Sequence, residues 1–95
     1  MRDYELTVII NPEFNEEKFE ATLENISRFI TDRGGTVVDI YRWGKRRLAY
    51  PIKHFIEGNY VLAKIQMESS LGKELEASLQ ISGDVLRHLL VKLNS

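Results

Sequence analysis

Cysteine is absent from these 95 residues, which excludes disulfides, thiolate metal sites and cysteine nucleophiles at once. The core alone must hold the domain, and a reducing cytosol suits such a chain. Neither charge sign dominates: 14 acids face 13 bases, so a uniformly basic nucleic-acid binder and a polyacidic tail are both excluded. No stretch approaches the roughly 20 apolar residues of a membrane span, and no export signal follows Arg2, so a soluble, non-exported chain is expected. A Gly-rich phosphate loop, G-x-S-x-G and H-E-x-x-H are all missing. The histidines, His54 and His88, stand far apart with no acidic pair at metal-ligand spacing, so neither a metal nor a cofactor is expected. Nothing assembles a nucleophile, a base and an oxyanion site, so no catalytic residue is assigned. What is present, 43% apolar and 28% charged residues, suits one compact domain spanning residues 1–95.

Hydrophobic periodicity orders the chain. Tyr4, Leu6, Val8 and Ile10 alternate with Glu5, Thr7 and Ile9 in a first strand that Asn11-Pro12 ends. Asn15 is placed to cap a helix from Glu16, whose Phe19, Leu23, Ile26 and Ile30 form one stripe and whose end lies at Gly34-Gly35. Thr36 to Trp43 is β-branched and aromatic, a second strand that Gly44 bends and that Leu48 to Ile52 continues. Pro51 requires a missing ladder partner, so this strand is expected at an edge. A turn at Glu57-Gly58-Asn59 leads to a third strand, Tyr60 to Met67. Ser70 is the expected cap of a second helix with Leu71, Leu75 and Leu79 on one face, closed by Gly83-Asp84. Val85 to Lys92 reads as a final strand.

Strand, helix, strand, strand, helix, strand is the ferredoxin-like β-α-β-β-α-β order, an α+β fold with a four-stranded antiparallel sheet and two helices on one face. The first and third strands are expected to be central and to run parallel. One sheet face then lacks helices, and its apolar outward residues, Ile9, Tyr60, Leu62, Leu89 and Val91, read as a surface for a protein partner.

Charge is local rather than global. Arg42 to Lys53 holds five cations and no acid, whereas Glu13 to Arg33 holds six acids and three bases. Arginine forks fit phosphates, and Tyr41, Trp43 and Tyr50 offer planar faces to unpaired bases or sugars, a combination suited to folded RNA. The competing reading of the same run is a solvated edge strand whose cations block edge-to-edge aggregation.

Met1-Arg2-Asp3-Tyr4-Glu5, Asn11-Pro12, Gly44-Lys45-Arg46-Arg47-Leu48-Ala49-Tyr50-Pro51-Ile52-Lys53, Glu57-Gly58-Asn59-Tyr60 and Val85-Leu86-Arg87-His88 together resemble the bacterial ribosomal small-subunit protein S-six family. The likeness spans nearly the whole chain. It implies a non-enzymatic constituent of the small ribosomal subunit, binding small-subunit ribosomal RNA in its central domain beside ribosomal protein S-eighteen. The implied address is the cytoplasm, in a bacterium or in an organelle of bacterial descent. Relatives often carry a longer, acidic C-terminal tail, whereas this sequence stops at Lys92-Leu93-Asn94-Ser95. The expected RNA-binding set is Arg2, Tyr4, Lys45, Arg46, Arg47, Lys53, Arg87 and Lys92. Two rival readings share the fold: a homodimeric small-molecule regulatory domain and a small phosphoryl hydrolase. The loop Asn11 to Phe14 lacks glycines for the first, and no arginine follows the first strand for the second.

Overall fold

A computed structural model describes residues 1–93; Asn94 and Ser95, the end of the short tail, lie outside the described residues. The elements are β1 (Arg2–Ile10), α1 (Glu16–Asp32), β2 (Thr36–Ile52), β3 (Phe55–Met67), α2 (Ser69–Ile81) and β4 (Val85–Lys92). They form one sheet of order β2-β3-β1-β4. β1 and β3 are central, as the element order predicts, but they pair antiparallel rather than parallel. The reason is that β1 and β2 are the strands joined by the α1 crossover, and β3 returns from β2 through a hairpin to lie between them.

Alternation along β1 sorts its side chains. Tyr4, Leu6, Val8 and Ile10 enter the main core with Val61, Ile65 and Met67 of β3, beneath Phe19, Leu23 and Ile30 of α1 and Leu71, Leu75 and Leu79 of α2. α1 begins where Asn15 Oδ1 accepts the Lys18 amide at 2.8 Å. It ends in a Schellman turn: Gly34 adopts φ 91°, its amide donates to Thr31 O, and the Gly35 amide donates to Ile30 O. The cap of α2 falls two residues earlier than expected. Glu68 is its N-cap and makes no side-chain cap bond, so Ser70 lies inside the first turn instead of capping it.

The β2–β3 connection also differs from expectation. Glu57-Gly58-Asn59 lies within β3, and the chain reverses at Lys53-His54, between paired Ile52 and Phe55. Both turn residues hold positive φ, 49° and 73°, the left-handed conformation that a two-residue hairpin demands. Turn prediction looks for Asn-Gly there, and a Lys-His pair carries no such signal. Left-handed backbone costs an L-residue about 1–2 kcal/mol relative to right-handed geometry, partly offset by the freedom glycine brings to the unfolded chain. Replacing the pair by Asn-Gly (Lys53→Asn with His54→Gly) is therefore expected to raise unfolding free energy by about 1 kcal/mol. A urea midpoint below that of the parent would contradict this account of the turn.

Candidate nucleic-acid interface

β1 pairs with β3 only from Asn59 onward, so residues 46–58 of the β2–β3 hairpin project past the four-stranded body as a two-stranded arm, with Lys45 at its base opposite Asn59. Its register breaks between Arg47 and Ile52, so the β2 side carries more residues than the β3 side. Pro51 falls in that break, where no ladder amide is required. The surplus backbone curls over the helix-free face of the sheet. Leu48 meets Ile9 and Leu86 there, and the three are 7, 7 and 8% exposed, with Ile52, Phe55 and Tyr60 packed around them. Gly58 permits the closure, because a Cβ at that position would collide with Ile9 Cγ2.

The arm is rich in cations and holds one acid, Glu57, opposite Arg47 in the hairpin register. Lys45, Arg46, Arg47 and Lys53 are exposed, and among the described residues none joins an ion pair. Arg87 belongs with them: it stands opposite Ile9 on β4, donates to the Tyr50 hydroxyl, and sits 5.9 Å from that ring's centre. Arg42 does not. Its guanidinium donates to Glu20 of α1 at 2.7 Å, on the helix side of the sheet. The sequence's run of five cations thus reduces to four free ones plus Arg87.

Arg2 and Lys92 lie elsewhere. Arg2 pairs with Met67 and Lys92 with Tyr4, at the opposite end of β1 from Arg87. Arg2 and Ile9 are seven steps apart along β1, or about 24 Å at the usual strand rise. The cations of the expected RNA-binding set therefore fall into two groups. Tyr4 belongs to neither: it is 6% exposed, with its hydroxyl 3.3 Å from Ser69 Oγ, so it presents no face to RNA. The alternation that groups it with Leu6 and Val8 is what buries it.

On the helix-free face, Leu89 and Val91 are 61 and 42% exposed, and Tyr60 and Leu62 are half-buried. Ile9 requires correction. The arm of the same chain covers it, so it is a core residue beneath the groove rather than a free contact. A groove of about 300 Å³ remains between Leu48, Tyr50 and Ile52 of the arm and Thr7, Arg87 and Leu89 of the sheet. Sequence reasoning missed this arm wall. Its signal was the apolar run from Leu48 to Ile52 directly behind the arginines, which nothing in a simple edge strand explains.

Tyr41 and Trp43 remain 39 and 50% exposed on the edge strand, Trp43 at the bulge before Gly44. The histidines stay apart: His54 is at the arm's tip, and His88 Nε2 is 3.3 Å from Glu76 Oε1 of α2. Among the described residues no cluster of His, Asp and Glu is suited to a metal ion, and no helix is long and apolar enough to cross a membrane.

A family model described as ribosomal protein S6 matches residues 3–92. The small ribosomal subunit protein bS6 of Desulforudis audaxviator is 40% identical over 92 residues, covering 97% of this chain and 98% of that protein. The bS6 of Carboxydothermus hydrogenoformans is 41% identical, covering 97 and 96%. The crystal structure of 30S ribosomal protein S6 from Thermotoga maritima superposes with a TM-score of 0.90 at 30% identity, over 97% of this chain and 87% of that one.

Proposed function

The chain belongs to the ribosomal protein S6 family, and from that premise we propose that it joins two ligands in the small ribosomal subunit. Relatives named as ribosomal proteins make it a structural component rather than an enzyme. The arm grips the central domain of small-subunit ribosomal RNA, and the helix-free face receives ribosomal protein S-eighteen. One observation supports this division above the others. Lys45, Arg46, Arg47 and Lys53 stand exposed on an arm that holds one acid, Glu57, and among the described residues none of the four joins an ion pair, while most of the acids lie on or beside the helices. Cations so placed hold phosphates and set register, leaving specificity to RNA shape.

The second surface follows from area. Leu89, Val91 and the groove beside Tyr50 are apolar, and covering them yields roughly 25 cal/mol per Å² before the costs of association. A protein seated there lies next to Arg87 and the arm, so its own cations extend the RNA-binding margin. Joint binding is then tighter than either protein's own, by a coupling on the order of 1–3 kcal/mol.

Recovery of the tagged chain from cells tests the proposal: small-subunit ribosomal RNA and S-eighteen are expected with it, and recovery of neither defeats it. Leu89→Asp separates the surfaces. The side chain is already exposed, so the fold survives, while a charge set in an apolar contact is expected to weaken S-eighteen binding by about tenfold or more. Calorimetry showing parental affinity would remove this face from the contact.

A further inference from the structure

A second cleft, of about 370 Å³, lies between the β1–α1 loop and the tip of the arm, and of its lining only Lys45 has a role in the proposal above. Lys45, His54, Phe55 and Glu57 form its arm wall, and Glu13 and Phe14 its loop wall. Donors and acceptors therefore share one cleft, yet among the described residues none of the four polar side chains joins an ion pair.

Both walls are held in place. The Glu13 amide donates to Asn11 Oδ1 at 2.9 Å, and the Asn11 amide donates to Asp84 O at 3.1 Å, which fixes the loop against the body. The arm's tip keeps Lys53 and His54 in left-handed backbone that Asn-Gly would adopt more easily. Of the pair only His54 borders the cleft, and strain kept beside a cleft-lining side chain points to a task for that wall.

The chemistry of the lining narrows that task. Lys45 only donates, ionised Glu13 and Glu57 only accept, and Phe14 and Phe55 supply apolar ring surface. Guanine matches this set: its N1–H and N2–H₂ can donate side by side to one carboxylate, while O6 and N7 accept from a cation. Adenine, cytosine and uracil lack that pair of adjacent donors. The volume suits one small ligand. We infer that the cleft receives one unpaired guanine nucleotide of the bound RNA, an inference that rests on the RNA-binding reading above.

The test titrates the ¹⁵N-labelled full chain with guanosine, adenosine, cytidine and uridine 5′-monophosphates by NMR. The guanine nucleotide is expected to shift the amides of Glu13, Lys45, His54 and Glu57 and to bind about tenfold more tightly than the others, the discrimination a bidentate contact gives. Glu13→Gln with Glu57→Gln should abolish that preference while leaving the remaining amide spectrum in place. Equal shifts from all four nucleotides, or none at these amides, overturn the assignment. The RNA reading is tested separately, by whether Arg46→Ala with Arg47→Ala weakens binding to a central-domain ribosomal RNA fragment. If that loss persists while the nucleotides show no preference, only the cleft assignment fails; if both results are negative, both readings fail.

Discussion

Replacing Arg46 and Arg47 together by alanine is expected to lower affinity for a central-domain ribosomal RNA fragment by about thirtyfold at ~0.1 M salt. The estimate follows from counterion release. Each phosphate contact contributes about 0.7 (single strand) to 0.9 (duplex) to the slope of log affinity against log salt, so two lost contacts flatten it by about 1.4–1.8 and, reckoned from a 1 M reference, remove about 1.4–1.8 decades of affinity at that ionic strength, about thirtyfold or somewhat more. Both side chains are exposed, and neither joins an ion pair among the described residues, so their removal leaves folding intact. Arg42→Ala is the internal control. Its charge is held by Glu20 on the other side of the sheet, so it should change the slope far less. A filter-binding series over salt reads both variants. Equal slopes for the parent and the double variant would remove the arm from the RNA contact.

The second large effect concerns how the arm is seated. Gly58→Ala introduces a Cβ against Ile9 Cγ2 and close to Leu48, in the small cluster that fastens the arm to the sheet. Overfilling a packed site of this kind costs typically 1–3 kcal/mol. Moving a branch of Ile9 relieves the collision, so Ile9→Leu, which removes Cγ2, should recover part of the loss in the Gly58→Ala background while giving no gain alone. Urea denaturation of the four proteins measures the coupling. Strict additivity would mean that the clash does not govern the cost. The structural consequence reaches function, because an unseated arm takes Arg46 and Arg47 away from Arg87, and the groove beside Tyr50 loses a wall.

How far the sequence made this legible depends on the range of the interaction. β1 and α1 are read correctly because each carries its own period, alternation in Tyr4 to Ile10 and the Phe19 to Ile30 stripe, and β4 because its apolar run from Val85 is too short for a helix. The long edge strand is also legible, since Pro51 tolerates no central position. The reversal at Lys53-His54 is not, because those side chains carry no turn preference and tertiary packing imposes their backbone. Gly58 has the look of a turn residue, yet it serves a close approach to Ile9, a contact between positions far apart in the chain.

The same limit shapes the candidate site. The cationic run is visible in one dimension, but that Arg42 faces Glu20 while Arg87 joins the arm depends on pleat and strand order. Arg2 and Lys92 fall at the far end of the sheet for the same reason. Ile9 and Tyr4 fail for opposite causes: Tyr4 is on the core row of β1, whereas Ile9 is on the outer row and is covered by an arm that no local pattern announces.

Amide shift mapping of the labelled chain against each ligand in turn tests the two-surface account most directly. Addition of the ribosomal RNA fragment should perturb residues 45–54 and Arg87, and addition of S-eighteen should perturb Thr7, Leu89 and Val91, with the exposed face of α1 unmoved in both titrations. Perturbation by the RNA centred on Glu17, Glu20 and Glu24, or one identical footprint for both ligands, would contradict it.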